Sequence, residues 1–185
     1  MYLFHNTTLK SLKCILTDGY LKSSFLTNNA KDGEGSSLYD TNHFVYFSTT
    51  NKLFDNNIYS RITLYFDSKL LYNRDFYVST VHSPEPTYLD EWKVDDVLEY
   101  KRKYKKYYAG YDKILLKLYE NSITKLPYGK AFQIFQQVAI NNKVNLNNLV
   151  GIHFNSQVPT QSILKLIKKN YPRVKIYIYD IYASK

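Results

Sequence analysis

The sequence predicts an α+β fold with a mixed or antiparallel β core and a helical insertion. Three observations carry this. Strand-like runs follow one another without a helix between each pair, which is not the pattern of an alternating βαβ chain. One early and one late segment place apolar residues at helical spacing between a capping Thr and a stop signal. A long helical, basic stretch interrupts the strands in the middle of the chain. At 185 residues the chain suits one domain, residues 1–185, with the insertion over about 90–125.

Taken in order, residues 2–6 read as a short strand. Thr7 or Thr8 then caps a helix whose apolar positions are Leu9, Leu12, Ile15 and Leu16, with Gly19 just past its end. Residues 20–24 suit another short strand. The polar run 27–42, TNNAKDGEGSSLYDTN, has no periodicity and reads either as a lid or binding loop or as plain surface. HFVYFS, 43–48, is a strand, and NKLFDNN suits a helical turn. In SRITLYFD, 60–67, Ile62, Leu64 and Phe66 alternate with Arg61, Thr63 and Tyr65, the period of a strand. DFYVST, 75–80, is a further strand, and the prolines of HSPEP mark a connection.

Residues 93–120 read as two helical segments parted at Gly110. KAFQIFQQVAI, 130–140, fits helix or strand. As a strand it sets Phe132, Ile134, Val138 and Ile140 on one face and Phe135, Gln137 and Ala139 on the other. LVGIHF, 149–154, is a strand. TQSILKLIKKNY is a helix that begins near Thr160 and stops before Pro172, and RVKIYIYDIY, 173–182, is a terminal strand.

Composition bounds the chemistry. Apolar residues make up 44%, an ordinary share, whereas aromatics reach 17% with 20 Tyr. Abundant Tyr, Asn, Lys and Ile beside scarce Ala and Gly is what an AT-rich genome writes, whether viral, bacterial or protist. The single Cys, Cys14, excludes an intramolecular disulfide and a cysteine metal cluster, and its place in the first helix makes it a reduced core thiol. Lys10 and Lys13 interrupt any signal-type apolar core, and no run approaches the roughly 18 apolar residues of a membrane span. A cytoplasmic protein in a reducing compartment, without a membrane partner, is the expectation. The formal charge of +9 suits polyanionic or nucleotide-like partners, and equally a plain solvated basic face in a chain whose Lys content follows its codon bias.

Metal, nucleophile and loop motifs are excluded in turn. The four histidines, His5, His43, His82 and His153, stand apart and form no pair at metal-ligand spacing. Neither a Gly-x-Ser-x-Gly elbow nor a glycine-rich phosphate loop occurs. His5-x-Thr7 is not repeated, so a two-histidine phosphoesterase is set aside. The basic run KRKYKKYY interleaves Lys101, Arg102, Lys103, Lys105 and Lys106 with Tyr104 and Tyr107. Such a face can neutralise phosphates and stack bases, although on a helix its charge wraps around.

A strand ending in His-x-Thr, a helix ending ILTDG, a polar loop and then VYFS occur here in that order. The set resembles the ADP-ribosyltransferase fold, in particular the His-Tyr-Glu group that includes PARPs, diphtheria-type toxins and the DarT-like DNA ADP-ribosyltransferases. QVAINNKVNLNNLVGI, 137–152, resembles the later part of such domains, so the resemblance covers about 2–66 and 130–154 in pieces.

The resemblance implies NAD as substrate, no metal, and a nucleic-acid or protein target. It implies that His5 bonds a ribose hydroxyl, that Thr7 orients it, and that Asn6 stands where the family has Gly. Tyr59, with Tyr46 as competitor, is the ring that stacks on nicotinamide. Gln137 takes the place of the catalytic Glu, with Glu120 the nearest alternative acid in sequence. Cleaving the glycosidic bond of NAD builds positive charge on the ribose, and an amide in place of the carboxylate forgoes about 2.7–4 kcal/mol of stabilisation. The resemblance therefore leaves two outcomes: a transferase acting on NAD, or a non-enzymatic nucleic-acid- or protein-binding module on the same fold.

Overall fold

The computed structural model describes residues 2–27, 43–50, 52–54, 60–72, 74–79, 105–108 and 137–179. They form two compact units, the first from the described parts of Met1–Tyr20, Thr50–Leu70 and Asn145–Lys185, the second from those of Leu21–Thr49 and Leu71–Val144.

The first unit is built on four strands in the order β10-β9-β4-β1: β1 Tyr2–Thr7, β4 Ile62–Asp67, β9 Leu149–Phe154 and β10 Lys175–Ile178. β1/β4 and β4/β9 are antiparallel, and β9/β10 is parallel, its crossover being a helix. That helix, α3 (Gln161–Asn170), packs against α1 (Leu9–Asp18). Both begin at a threonine: Thr8 Oγ1 accepts from Ser11 N and Thr160 Oγ1 from Ile163 N. α1 ends at Gly19, where φ +74° is the left-handed conformation glycine tolerates. Tyr171, past α3, donates its hydroxyl to Leu16 O at 3.0 Å, so one helix end satisfies a carbonyl of the other.

α1 buries Leu12 and Leu16. Cys14 lies nearly opposite them on the helix and is exposed, which corrects its reading as a core thiol: two positions from Leu12 is about 200° of turn. β4 also differs from its alternating pattern. Ile62, Thr63, Leu64, Tyr65 and Phe66 are all buried, because β4 is paired on both edges and covered on both faces. The alternation still sorts the residues by face, but the second face meets protein and not water.

The second unit holds an antiparallel sheet in the order β3-β7-β5-β6: β3 Phe44–Thr50, β7 Gln137–Asn141, β5 Asp75–Ser79 and β6 Lys105–Tyr108. Residues 137–141 are thus strand, with Val138, Ala139 and Ile140 all buried. β2 (Tyr20–Lys22) pairs with β8 (Lys143–Asn145), and a four-residue helical turn, α2 (Ser24–Thr27), follows where the sequence pattern continued the strand. Asn142 (φ +60°) makes the corner between β7 and β8. Its N–H donates to His43 O at 2.7 Å, and its carbonyl accepts from Ser23 N at 2.8 Å.

Lys105–Tyr108 is a strand and not part of a helix. It pairs with β5 from Asp75↔Tyr108 to Val78↔Lys105. Sheet hydrogen bonds from a partner distant in sequence outweigh weak helical periodicity in a segment rich in Tyr, a good strand former. The rest of the expected insertion, and the polar run 28–42, lie outside the described residues.

Candidate functional site

The end of β1 presents the sequence-predicted histidine. Leu3 and Phe4 are buried, His5 and Thr7 are half-buried and Asn6 is exposed. Register sets His5 opposite Leu64, Asn6 opposite Thr63 and Thr7 opposite Ile62. Because side chains alternate along a strand, His5 and Thr7 share one face and Asn6 takes the other. The chain turns directly into α1, whose first amide, Leu9 N–H, donates to Gln157 Oε1 at 3.2 Å. That bond satisfies a helix-start amide that has no partner within the helix.

Asn6 is held on the face away from His5. Its Oδ1 accepts from Thr63 Oγ1 at 3.2 Å. Thr63 is fully buried, and its hydroxyl also lies 2.6 Å from Ser60 Oγ and accepts from Asn155 Nδ2 at 3.1 Å. Asn155 Nδ2 donates to Ser60 Oγ as well, at 3.3 Å. A side chain where the resemblance expects Gly is therefore seated in a polar network on the reverse face. It leaves the His5–Thr7 face clear of its own bulk.

The same reverse face carries a ring cluster. Phe54 lies edge-on to Tyr65 at 5.6 Å and to His153 at 5.9 Å, and stacks on Tyr177 at 5.5 Å; His153 meets Tyr177 edge-on at 4.8 Å. Gly151 makes room for it, since a Cβ there would lie 2.9 Å from Phe54 Cε1 and 3.1 Å from Leu53 Cδ1. His153 is 1% exposed and neither ring nitrogen has a hydrogen-bond partner among the described residues. Burial pushes its pKa below the ordinary 6.5. No group of three His, Cys, Asp or Glu able to hold a metal occurs among the described residues.

The remaining predicted residues are placed as follows. Tyr46, in the second unit, is half-buried on β3 opposite Ala139, with its ring 6.3 Å from that of Phe44. Gln137 opens β7 opposite Ser79. Lys105 and Lys106 lie on β6 opposite Val78 and Tyr77. Tyr59, Lys101, Arg102 and Lys103 lie outside the described residues. The structure thus brings Asn6 together with Ser60, Thr63 and Asn155, which the sequence did not single out. Ser, Thr and Asn at strand ends are common, and nothing local marks these three as partners.

No protein-family model and no curated protein matches the sequence. Among solved structures the chain is similar to the DarT of Thermus sp. 2.9. The likeness extends to its complex with carba-NAD+ (TM-score 0.53, 12% identity, 96% of this chain and 95% of that one) and its complex with NAD+ (0.53, 12%, 96% and 94%). It extends equally to the complex with ADP-ribosylated ssDNA (0.55, 10%, 96% and 93%). Two α+β chains that agree in fold over nearly their whole lengths at such low identity share architecture and not sequence. This chain therefore has a DarT-like ADP-ribosyltransferase fold.

Proposed function

We propose that this chain is an ADP-ribosyltransferase-like protein that binds NAD, or a related nucleotide, at the end of β1. The observation that carries the reading is the presentation of His5 and Thr7 on one half-buried face of that strand, with Asn6 tied back on the other, in a fold shared with a protein seen in complex with NAD+. In this reading His5 bonds a ribose hydroxyl and Thr7 fixes the imidazole. The main chain at Asn6 takes the nicotinamide amide. Tyr59 supplies the stacking ring, with Tyr46 as the alternative. Gln137 stands in the place of the catalytic Glu: its amide holds the 2′-hydroxyl but brings no negative charge to the ribose as the glycosidic bond opens. Turnover is correspondingly slow. The target is a nucleic acid or a protein, received by Lys101, Arg102, Lys103, Lys105 and Lys106, and the setting is a reducing cytoplasm.

Calorimetric titration of NAD into the wild-type chain and into His5→Ala tests this. A loss of about 0.5–1.5 kcal/mol in the variant is expected for removing a hydrogen bond to a neutral ribose hydroxyl. Equal binding by the two proteins would overturn the assignment of His5.

A second reading, a non-enzymatic nucleic-acid- or protein-binding module, is favoured by one specific feature. Gln137, and not an acid, opens β7, while β6 in the same sheet carries Lys105 and Lys106.

A further inference from the structure

We propose that Asn155 is a positioning residue for the nucleotide site, acting through Thr63 on Asn6, the residue that follows His5. The proposal rests on the reading of His5 as a nucleotide-binding group. Asn155 stands directly after β9 and is half-buried. Its main chain is already bound to the entry of β4: Asn155 N donates to Arg61 O at 3.1 Å, and Ser156 N to the same oxygen at 3.4 Å. Its side chain then reaches two hydroxyls from one nitrogen, Ser60 Oγ at 3.3 Å and Thr63 Oγ1 at 3.1 Å. Two residues on, Gln157 takes the first amide of α1. The three residues 155–157 thus fasten the start of β4, the end of β1 and the start of α1.

The chemistry of the chain of bonds has a direction. Thr63 Oγ1 has one proton and gives it to Asn6 Oδ1. It must then receive at its lone pairs, and Asn155 Nδ2 and the Ser60 hydroxyl supply the two protons. Only an amide at 155 brings two N–H donors to two hydroxyls at once. A carboxylate of the same size would accept from both, leaving Thr63 without its donor and drawing its proton away from Asn6. Because Thr63 is fully buried, water does not restore what is lost. The effect reaches His5 through the main chain, since Asn6 is its covalent neighbour and lies on the opposite face.

The test is NAD affinity by calorimetry on the full chain, with the thermal midpoint recorded for each protein. Asn155→Ala and Asn155→Asp are each expected to bind NAD about tenfold more weakly than wild type, the loss of one buried hydrogen-bond partner. Asn6→Ala breaks the same chain at its exposed end, so it folds even if the Asn155 variants do not, and it is expected to show a similar loss. The double variant Asn6→Ala/Asn155→Ala is expected to bind no worse than the weaker single one, because both remove one linkage. Unchanged NAD affinity with a lowered thermal midpoint makes Asn155 a structural residue only and overturns the proposal. Fully additive losses overturn it too. A wild-type chain that does not bind NAD sinks the nucleotide reading itself, and is told apart by the silence of the parent protein.

Discussion

A buried imidazole with no hydrogen-bond partner among the described residues is costly to charge, and His153 is such a group. Its ring lies against Tyr177 and Phe54, and β9 sets it opposite Thr63. In the unfolded chain it titrates near 6.5, whereas in the folded chain burial holds its pKa below that value. The folded state therefore binds fewer protons than the unfolded state as acid is added. Its contribution to stability is complete above about pH 6.5 and is lost as pH falls below it toward the depressed pKa. Chemical denaturation at about pH 7 and about pH 5 should show the loss in the wild type and a smaller one in His153→Leu. A variant that loses as much stability on acidification as the wild type would exonerate this histidine. In the sequence, His153 was legible only as an isolated histidine within an apolar strand. Its burial follows from Phe54, 99 positions away, and Tyr177, which reaches it through β10.

At the scale of elements, the best-read parts are those whose signals are local. The caps at Thr8 and Thr160, the stop at Gly19 and the strands read at 2–6 and 149–154 depend on residues within a turn or two, and they form, the first running one residue further to Thr7. Sequence pattern misled where a partner strand decided. Lys105–Tyr108 joined a sheet in place of a helix, and β4 was buried on both faces despite its alternation. β9 shows how one residue serves an element's packing. With no side chain at Gly151, the Phe54 ring, held by a residue at φ +59°, lies directly over the sheet. Gly151→Ala is expected to cost about 1–3 kcal/mol through overpacking, measured by urea denaturation. A neutral or stabilising result would mean that Phe54 and Leu53 yield without strain.

For the whole molecule, the two functional readings part at Gln137. If it occupies the place of the catalytic Glu, Gln137→Glu restores a negative charge to the reacting ribose and should raise NAD turnover by about 100- to 1000-fold. If the chain is a binding module, the variant gains nothing. Single-stranded nucleic acid should then bind with a salt slope that flattens by about 0.7 for each phosphate left without its cation in Lys105→Ala and Lys106→Ala. NAD release assays on the variant and binding titrations at several salt concentrations decide between them. The sequence by itself determined the α+β class, the caps of the local elements and the place of His-x-Thr at the end of the first strand. These follow from backbone propensity and from polar and apolar periodicity among near neighbours. Only the tertiary structure decided which polar residues meet. The partners of Thr63 lie 57 and 92 positions away, at Asn6 and Asn155, and strand register, which no short stretch of chain encodes, is what brings their side chains within hydrogen-bonding distance.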